Sequence, residues 1–206
     1  MTDYGTEVKL LAVTSVEPEI YQYSSSDGER LIEYAGRLCW DTQDKTGEVP
    51  NRIQDWIKVG HESMVEHASA TFYIRASRVL THELVRHRLA SYSQRSQRYV
   101  KENESKYIFP PELKDDNALE FMFSKAMEDA WEKYRYLLEQ GVKPEIARYV
   151  LPNACETQII CTWNFRELRH IIRLRTSKRA LPEMREVAGK IKGICKDIAP
   201  KVFEDL

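Results

Sequence analysis

Apolar positions recur along this chain with two periods, one typical of strands and one typical of helices. Residues 8–13, Val-Lys-Leu-Leu-Ala-Val, have the β-branched and aliphatic character of an opening strand. From Gly28 to Trp40 the apolar residues recur at three- and four-residue intervals, which predicts a helix, and the polar run at residues 24–27 predicts its start. The chain is therefore expected to open with a strand followed by a helix.

The same two patterns predict the rest of the chain. Strands are predicted at residues 67–75 and 158–163, and helices at residues 52–59, 76–88, 117–140, 144–150, 165–175 and 182–198. Residues 41–50 and 89–98 are predicted to be loops. Because 206 residues with 42% hydrophobic content suit one well-packed core, we expect a single α+β domain over residues 1–206, with a mixed sheet flanked by helices.

Two of the predicted helices carry informative side-chain patterns. The helix at residues 117–140 has a stripe of aromatic and methionine residues, which we interpret as core or subunit interface without chemistry. The helix at residues 165–175 has one apolar face, and its polar face is predicted to carry Arg166, Arg169, His170 and Arg173.

Charge is placed unevenly along the chain, although the formal net charge is −1. Residues 75–98 contain six arginines and a single acidic residue, Glu83, whereas residues 102–120 are acidic. A general nucleic-acid-binding protein is more often basic overall, so this balance favours a confined pocket for small anions. The sequence has no run of eighteen apolar residues and no N-terminal signal pattern, so we expect a cytoplasmic protein that binds neither nucleic acid nor membrane.

The cysteines and histidines show no pattern of a metal or disulfide site. The four cysteines, which form no CxxC pair and are interpreted as buried thiols, are Cys39, Cys155, Cys161 and Cys195. His61 and His67 are six positions apart, whereas a zinc-binding helix needs two histidines four positions apart. We therefore expect no metal site.

Residues 86–98, Arg-His-Arg-Leu-Ala-Ser-Tyr-Ser-Gln-Arg-Ser-Gln-Arg, have the composition of an anion-binding site. Four arginines, one histidine, three serines and two glutamines occupy thirteen positions with no carboxylate among them. Guanidinium groups bind phosphate or carboxylate oxygens in pairs, and hydroxyl and amide groups add directional hydrogen bonds. Ser96 has arginine and glutamine rather than a base as neighbours, so we interpret it as a hydrogen-bonding residue and not as a nucleophile.

This arginine-rich block also resembles a known family. The sequence Arg86-His87-Arg88, followed after seven residues by Ser96-Gln97-Arg98-Tyr99, is similar to the signature of flavin-dependent thymidylate synthases. Companion segments stand in the family's order, with residues 61–67 upstream and residues 145–152 and 164–175 downstream. The resemblance spans residues from about 61 to about 183, and it implies a homotetramer with active sites at subunit interfaces.

The resemblance implies ligand contacts for residues from several parts of the chain. Those expected to contact FAD are His61, Ser63, Arg86, His87, Arg88, Gln94, Asn164, Phe165, Arg166 and His170. Those expected to contact dUMP are Glu83, Leu84, Val85, Arg86, Gln94, Arg95, Ser96, Gln97, Arg98, Arg148 and Arg175. His61 is also expected near the folate. Some relatives carry other residues where this chain has Glu83, Gln94 and His170.

The reaction implied by the resemblance is the reductive methylation of dUMP to dTMP. In this reaction 5,10-methylenetetrahydrofolate supplies the carbon, NADPH supplies the hydride through FAD, and tetrahydrofolate is released. A cation beside the uracil stabilises the negative charge that develops while the ring accepts the methylene group. Arg175 is expected in this catalytic role. The family needs no cysteine nucleophile, which agrees with the settings of the four cysteines.

Two other functions remain open from the sequence. The arginine-rich block could contact nucleic-acid phosphates while Tyr92 or Tyr99 stacks on bases, although the net charge argues against this. The chain could also be a flavin-binding protein without synthase activity, which turnover of dUMP would exclude.

Overall fold

A computed structural model describes residues 3–18, 26–102 and 104–206 of the chain. The strands are β1 (Glu7–Val13), β2 (Ser69–Ser77), β3 (Ala90–Gln94) and β4 (Glu156–Asn164). The helices are α1 (Asp27–Leu38), α2 (Arg52–Lys58), α3 (Arg78–Leu84), α4 (Asn117–Glu139), α5 (Pro144–Ala147), α6 (Phe165–Arg175), α7 (Pro182–Ile198) and α8 (Pro200–Phe203). The predicted helices and strands are confirmed, most of them with ends close to the predicted ones. Residues 24 and 25 of the predicted helix-start signal lie outside the described residues.

The strands form one sheet in the order β1-β2-β4-β3, and each neighbouring pair is antiparallel. The central strands β2 and β4 pair without interruption from Ser69 opposite Asn164 to Ser77 opposite Glu156. Alternate residues of both strands are buried, because successive side chains of a strand point to opposite faces. Residues of the buried face form the main core together with buried residues of α1, α3, α6 and α7.

The prediction of a mixed sheet is wrong. Strands β2 and β3 are connected through helix α3 and run in the same direction, as helical connections between strands favour. Strand β4 lies between them and is antiparallel to both, so no parallel pair forms among the described strands. The position of β4 comes from packing and cannot be read from the period of any single segment.

Part of the loop predicted at residues 89–98 is the edge strand β3. Its sequence, Ala-Ser-Tyr-Ser-Gln, alternates half-buried residues with the exposed Ser91 and Ser93, so it lacks the apolar character of a central strand. Tyr92 packs against the core, and its ring meets the ring of Trp163 edge-on at 6.0 Å between centroids. Helix α3 is correspondingly shorter than predicted and ends at Leu84.

The prediction that Arg169 lies on the polar surface of α6 is also wrong, because its side chain is fully buried. Its two terminal nitrogens donate to the carboxylate oxygens of Asp205 at 2.6 and 2.7 Å, and Nη1 also donates to the Val202 carbonyl. The charge is tolerated in the interior because it is paired and hydrogen-bonded. This contact fixes the C-terminal residues against the helix that carries the candidate site.

Three of the four cysteines are buried as predicted, whereas Cys39 is exposed. Burial raises the pKa of the Cys155 and Cys195 thiols to about 12 and raises that of Cys161 as well. Since the thiolate is the nucleophilic form, these three cysteines are unreactive near neutral pH.

Helix α4 packs outside the main core on a smaller cluster formed by Met127, Trp131 and Cys155. Its remaining apolar residues include the exposed Phe121 and Met122. In the described parts of the chain, none of the helices combines the length and the apolar content that a bilayer span requires.

Candidate functional site

The start of α6 places a buried carboxylate beside the arginine-rich block. Strand β4 ends at Asn164, whose side-chain oxygen accepts a hydrogen bond from the Glu167 backbone nitrogen at 2.8 Å and so caps the helix. Asn164 and Glu167 have the spacing of a capping box, in which the glutamate normally turns back to the cap residue. Here the Glu167 carboxylate reaches across to the His87 ring at 3.0 Å instead.

His87 is held in place by its backbone and by its ring. The Tyr92 hydroxyl lies 2.7 Å from the His87 carbonyl and donates to it, while Trp163 Nε1 donates to that hydroxyl at 3.2 Å. Burial raises the pKa of Tyr92 to about 12, so the phenol keeps its proton near neutral pH. The His87 ring meets the His170 ring edge-on at 5.6 Å between centroids.

The partners of His87 determine which ring nitrogen carries the proton. Arg175 Nε lies 3.1 Å from His87 Nε2, and a guanidinium can only donate, so Nε2 holds a lone pair. His87 Nδ1 therefore carries the proton and donates it to Glu167 Oε1. Burial lowers the pKa of His87, Arg175 lowers it further, and the Glu167 carboxylate opposes both without reversing them. The ring is consequently neutral near pH 7.

Arg175, the last residue of α6, is fixed by three contacts. Its Nη1 donates to Glu83 Oε2 at 2.9 Å, its Nη2 donates to the Glu83 backbone carbonyl at 3.3 Å, and its Nε donates to His87. A guanidinium has five N–H groups, so two remain beyond these contacts. The side chain is 17% exposed, which leaves it accessible to a ligand. We call the continuous set Glu167, His87, Arg175 and Glu83 the polar chain.

A cavity of about 500 Å³, which we call the α6 cavity, lies beside the polar chain. Its volume is within the range of roughly 300–1,000 Å³ found for small-molecule sites. Its lining comes from the end of β4, from α6, from the segment before β2 and from the residue before β3, namely Glu62, Glu66, Leu89, Asn164, Arg166, Glu167, His170 and Arg173. Arg166 lies 2.5 Å from Glu66, and Arg173 lies 3.1 Å from Asp205 and 3.7 Å from Glu62. Both arginines are about half exposed, so these ion pairs are weak and can be exchanged for contacts to an anionic ligand.

The residues predicted to contact FAD are only partly gathered at this cavity. Asn164, Arg166 and His170 line it, and His87 lies against Glu167 and His170. The other predicted residues do not line it: Phe165 is buried in the core, Gln94 is bound to Thr81, and the exposed ones are Arg86, Arg88, His61 and Ser63. Among the described residues, no side chain forms a hydrogen bond or ion pair with the side chains of Arg86 and Arg88. These two arginines are therefore available to a ligand or to another protomer.

The residues predicted to contact dUMP fall into two groups. Glu83 and Arg175 belong to the polar chain, with Leu84 fully buried and Val85 exposed beside them. In the second group, Arg98 Nε donates to Glu145 Oε2 at 3.0 Å and Arg148 Nε donates to the Glu145 carbonyl at 3.3 Å. Glu145 thus brings the two arginines together.

The residues between these groups are held mainly by contacts within the protomer. The Gln94 amide donates to Thr81 at 3.0 Å and lies 3.3 Å from Thr157. Arg95 pairs with Glu102 at 2.6 Å and lines a separate cavity of about 290 Å³. Ser96 Oγ accepts from the Arg98 backbone nitrogen at 3.2 Å, and Gln97 is buried.

Four residues at the site were not predicted from the sequence, namely Glu167, Glu62, Glu66 and Arg173. The Asn164-x-x-Glu167 spacing was a usable signal for the first, because it places an acidic residue in the first turn of a helix. Arg166 and Arg173 are seven positions apart and so share one face of α6. The carboxylates that meet them come from a different segment and carry no such signal.

His87, Glu167 and His170 offer three ligand atoms within 4.8 Å of one another. A metal ion on His87 Nδ1 would shift the ring proton to Nε2, where Arg175 also donates. The donor set therefore disfavours a cation at this position.

Comparisons with known proteins agree with these features. The family model for thymidylate synthase complementing protein matches residues 19–201. A flavin-dependent thymidylate synthase from Mycolicibacterium gilvum (strain PYR-GCK) is 39% identical, with 96% of this chain and 88% of the relative covered. A flavin-dependent thymidylate synthase from Clostridium tetani (strain Massachusetts / E88) is 40% identical, with 97% of this chain and 86% of the relative covered.

A solved structure shows the same fold. The UMP/dUMP methylase PolB from Streptomyces cacaoi, bound with 5-Br dUMP, superposes on this chain with a TM-score of 0.83 at 25% sequence identity. The superposition covers 97% of this chain and 93% of the PolB chain. Together with the family match over most of the sequence, these likenesses show that the chain belongs to the flavin-dependent thymidylate synthases.

Proposed function

We propose that this protein methylates dUMP to dTMP with the help of bound FAD. The observation that carries the proposal is Arg175, a guanidinium that Glu83 and His87 hold with two N–H groups unused. It belongs to the polar chain, which reaches the small-molecule cavity through Glu167. The names of its relatives and the 5-Br dUMP in the Streptomyces cacaoi structure support the same substrate and cofactor.

Arg175 is the residue assigned to the pyrimidine. Negative charge develops on the uracil ring as it becomes nucleophilic, and a fixed cation at that position stabilises the charge without reorganising. Because Glu83 and His87 already hold the guanidinium, its direction is set before the substrate binds. Arg98 and Arg148 would hold the phosphate of dUMP, as guanidinium groups favour phosphate oxygens.

The residues around the α6 cavity fit a flavin. The Asn164 amide and the His170 imidazole offer hydrogen bonds to the polar edge of the ring system, and Leu89 offers an apolar contact to its face. Arg166 and Arg173 supply cations for the diphosphate after exchanging their carboxylate partners, which are Glu62, Glu66 and Asp205. Bound FAD would supply hydride-transfer chemistry that protein side chains lack.

The remaining parts of the reaction belong to the same proposal. We expect 5,10-methylenetetrahydrofolate as the carbon donor, NADPH as the source of hydride, and His61 near the folate. The exposed Arg86 and Arg88 and the separate Arg98–Arg148 group are expected to meet the α6 cavity of a neighbouring protomer in a homotetramer. The cytoplasmic location stays a prediction.

The test is turnover by the purified protein with dUMP, FAD, 5,10-methylenetetrahydrofolate and NADPH, with dTMP measured by chromatography. We expect dTMP formation that depends on each component. A protein that holds flavin but forms no dTMP with NADPH or another reductant would instead be a flavin-binding protein without synthase activity. A protein that retains no flavin and binds DNA in a salt-sensitive manner would support the nucleic-acid-binding alternative.

A further inference from the structure

We infer that Glu167 is a positioning residue, which fixes the tautomer of His87 and thereby the direction of the Arg175 guanidinium. The contacts that point to this role are the 3.0 Å bond from His87 Nδ1 to Glu167 and the 3.1 Å bond from Arg175 Nε to His87 Nε2. The kinetic consequence rests on the proposed function of the site, whereas the tautomer is a property of the folded protein itself.

Glu167 is itself held rigidly. Its side chain is 10% exposed and the His87 side chain is 4% exposed, so little water competes for the hydrogen bond between them. Its backbone nitrogen donates to the Asn164 side chain in the first turn of α6. A carboxylate in the first turn of a helix also interacts favourably with the helix dipole.

Removal of the Glu167 acceptor would change what His87 offers to Arg175. A neutral imidazole without a partner at Nδ1 is free to carry its proton on Nε2, where the proton would face the N–H of Arg175 Nε. Arg175 would then depend on Glu83, whose side chain is 38% exposed and therefore holds the guanidinium less firmly. The two N–H groups left for the ligand would lose their fixed direction.

The charged groups around His87 also set the pH at which it changes state. From α6 these are Glu167, His170 and Arg175; α3 contributes Glu83 through Arg175, and β3 contributes the Tyr92 hydroxyl on the His87 carbonyl. The Glu167 charge raises the pKa of His87 against the effect of burial. Loss of that charge lowers the pKa further, so the acid limb of the rate profile is expected to move to lower pH.

Two substitutions separate the hydrogen bond from the charge. Glu167→Gln keeps an oxygen that can accept from Nδ1, whereas Glu167→Leu removes the acceptor and keeps an apolar side chain of similar size. Glu139→Gln, at the exposed end of α4, is the matched control for loss of a carboxylate. In full-length protein labelled with ¹⁵N-histidine, the tautomer of His87 is read from the nitrogen shifts, after assignment among the five histidines with a His87→Gln variant.

We expect the Nδ1–H tautomer in the wild type and in Glu167→Gln, and its loss in Glu167→Leu. The kcat for dTMP formation should fall about 10- to 100-fold in the leucine variant, as for loss of one charge-assisted hydrogen bond, and should be largely retained in the glutamine variant. Both variants should move the acid limb of the pH profile to lower pH, and Glu139→Gln should not.

Three results would overturn the positioning role. They are an Nε2-protonated His87 in the wild type, a leucine variant that keeps both tautomer and kcat, and a leucine variant that loses kcat while its tautomer is unchanged. If Glu167→Leu does not fold, the tautomer of His87 in the wild type and the pH profile of Glu167→Gln still test the positioning role. The wild type could form no dTMP while the Nδ1–H tautomer is still lost in Glu167→Leu. That pair of results would contradict the proposed function and support the positioning role.

Discussion

Arg175 combines two properties that a single residue rarely has at a surface, namely a fixed direction and unused donors. Glu83 and His87 occupy three of its N–H groups, and the side chain remains partly exposed. Arginine and lysine differ here, because an ammonium group cannot reproduce the planar fork. The charge and the geometry of this position can therefore be tested separately.

We predict that Arg175→Ala lowers kcat for dTMP formation by about 100- to 1,000-fold, the usual cost of removing one electrostatic donor from a transition state. Flavin should remain bound, since Arg175 does not line the α6 cavity. Arg175→Lys should recover part of the rate. Steady-state kinetics and visible flavin absorbance measure the two effects, with exposed Arg135→Ala as the control. Normal turnover by Arg175→Ala would remove this residue from the mechanism.

The lowered pKa of His87 leads to a second prediction, which concerns how the free energy of unfolding depends on pH. Its folded pKa lies below the ordinary value of 6.5, so the unfolded chain binds more protons as the pH falls through that value. The contribution of neutral His87 is therefore fully present above about pH 6.5 and decreases as the pH falls toward the folded pKa. Urea midpoints measured from about pH 8 to pH 5 should show the wild type losing stability relative to His87→Gln. A constant difference between the two proteins would contradict the assignment.

At the scale of elements, the contact between α1 and α2 depends on a missing side chain. A Cβ added at Gly36 would lie 2.5 and 2.6 Å from two ring atoms of Trp56. Alanine favours a helix interior over glycine by up to about 1 kcal/mol, whereas overpacking costs about 1–3 kcal/mol. The clash with the Trp56 ring therefore outweighs the gain in helix propensity.

We therefore predict that Gly36→Ala lowers the free energy of unfolding by about 1–2 kcal/mol, measured by urea denaturation. The control is Gly193→Ala in α7, where an added Cβ meets no atom within 4 Å. That variant should be neutral or more stable by up to about 1 kcal/mol. If Gly36→Ala is as stable as Gly193→Ala, the ring of Trp56 moves aside and the contact between α1 and α2 does not depend on the missing side chain.

Elements with their own local signals were predictable from sequence, and elements defined by a neighbour were not. Helix α6 was predicted at both ends because an apolar face with the helical period marks it. Strand β3 was missed because its serines and glutamine form a strand only through pairing with β4. Arg169 was misplaced for the same reason, since Asp205 and Val202 approach it from the C-terminal residues.

At the scale of the whole molecule, the sequence located the segments of the site but not their contacts. The arginine-rich block and the α6 segment do meet, through His87 and Arg175. The role of Glu167 depends on a partner 80 positions away in the chain, which no local pattern specifies. Arg98 and Arg148 gather at Glu145 instead of at the α6 cavity. This division into two groups is consistent with the proposed site, in which neighbouring protomers each contribute one group.

Complementation between inactive variants tests that division directly. Arg175→Ala damages the polar chain and Arg148→Ala damages the second group, so in the proposed homotetramer either variant alone should be nearly inactive. If each site takes Arg175 from one protomer and Arg148 from its neighbour, random mixing leaves about a quarter of the sites with both arginines. Co-expression, followed by isolation of mixed tetramers through two different affinity tags, should then restore about a quarter of the wild-type rate. If each site is built within one protomer, every site in the mixture lacks one arginine, and the rate stays at the level of the single variants.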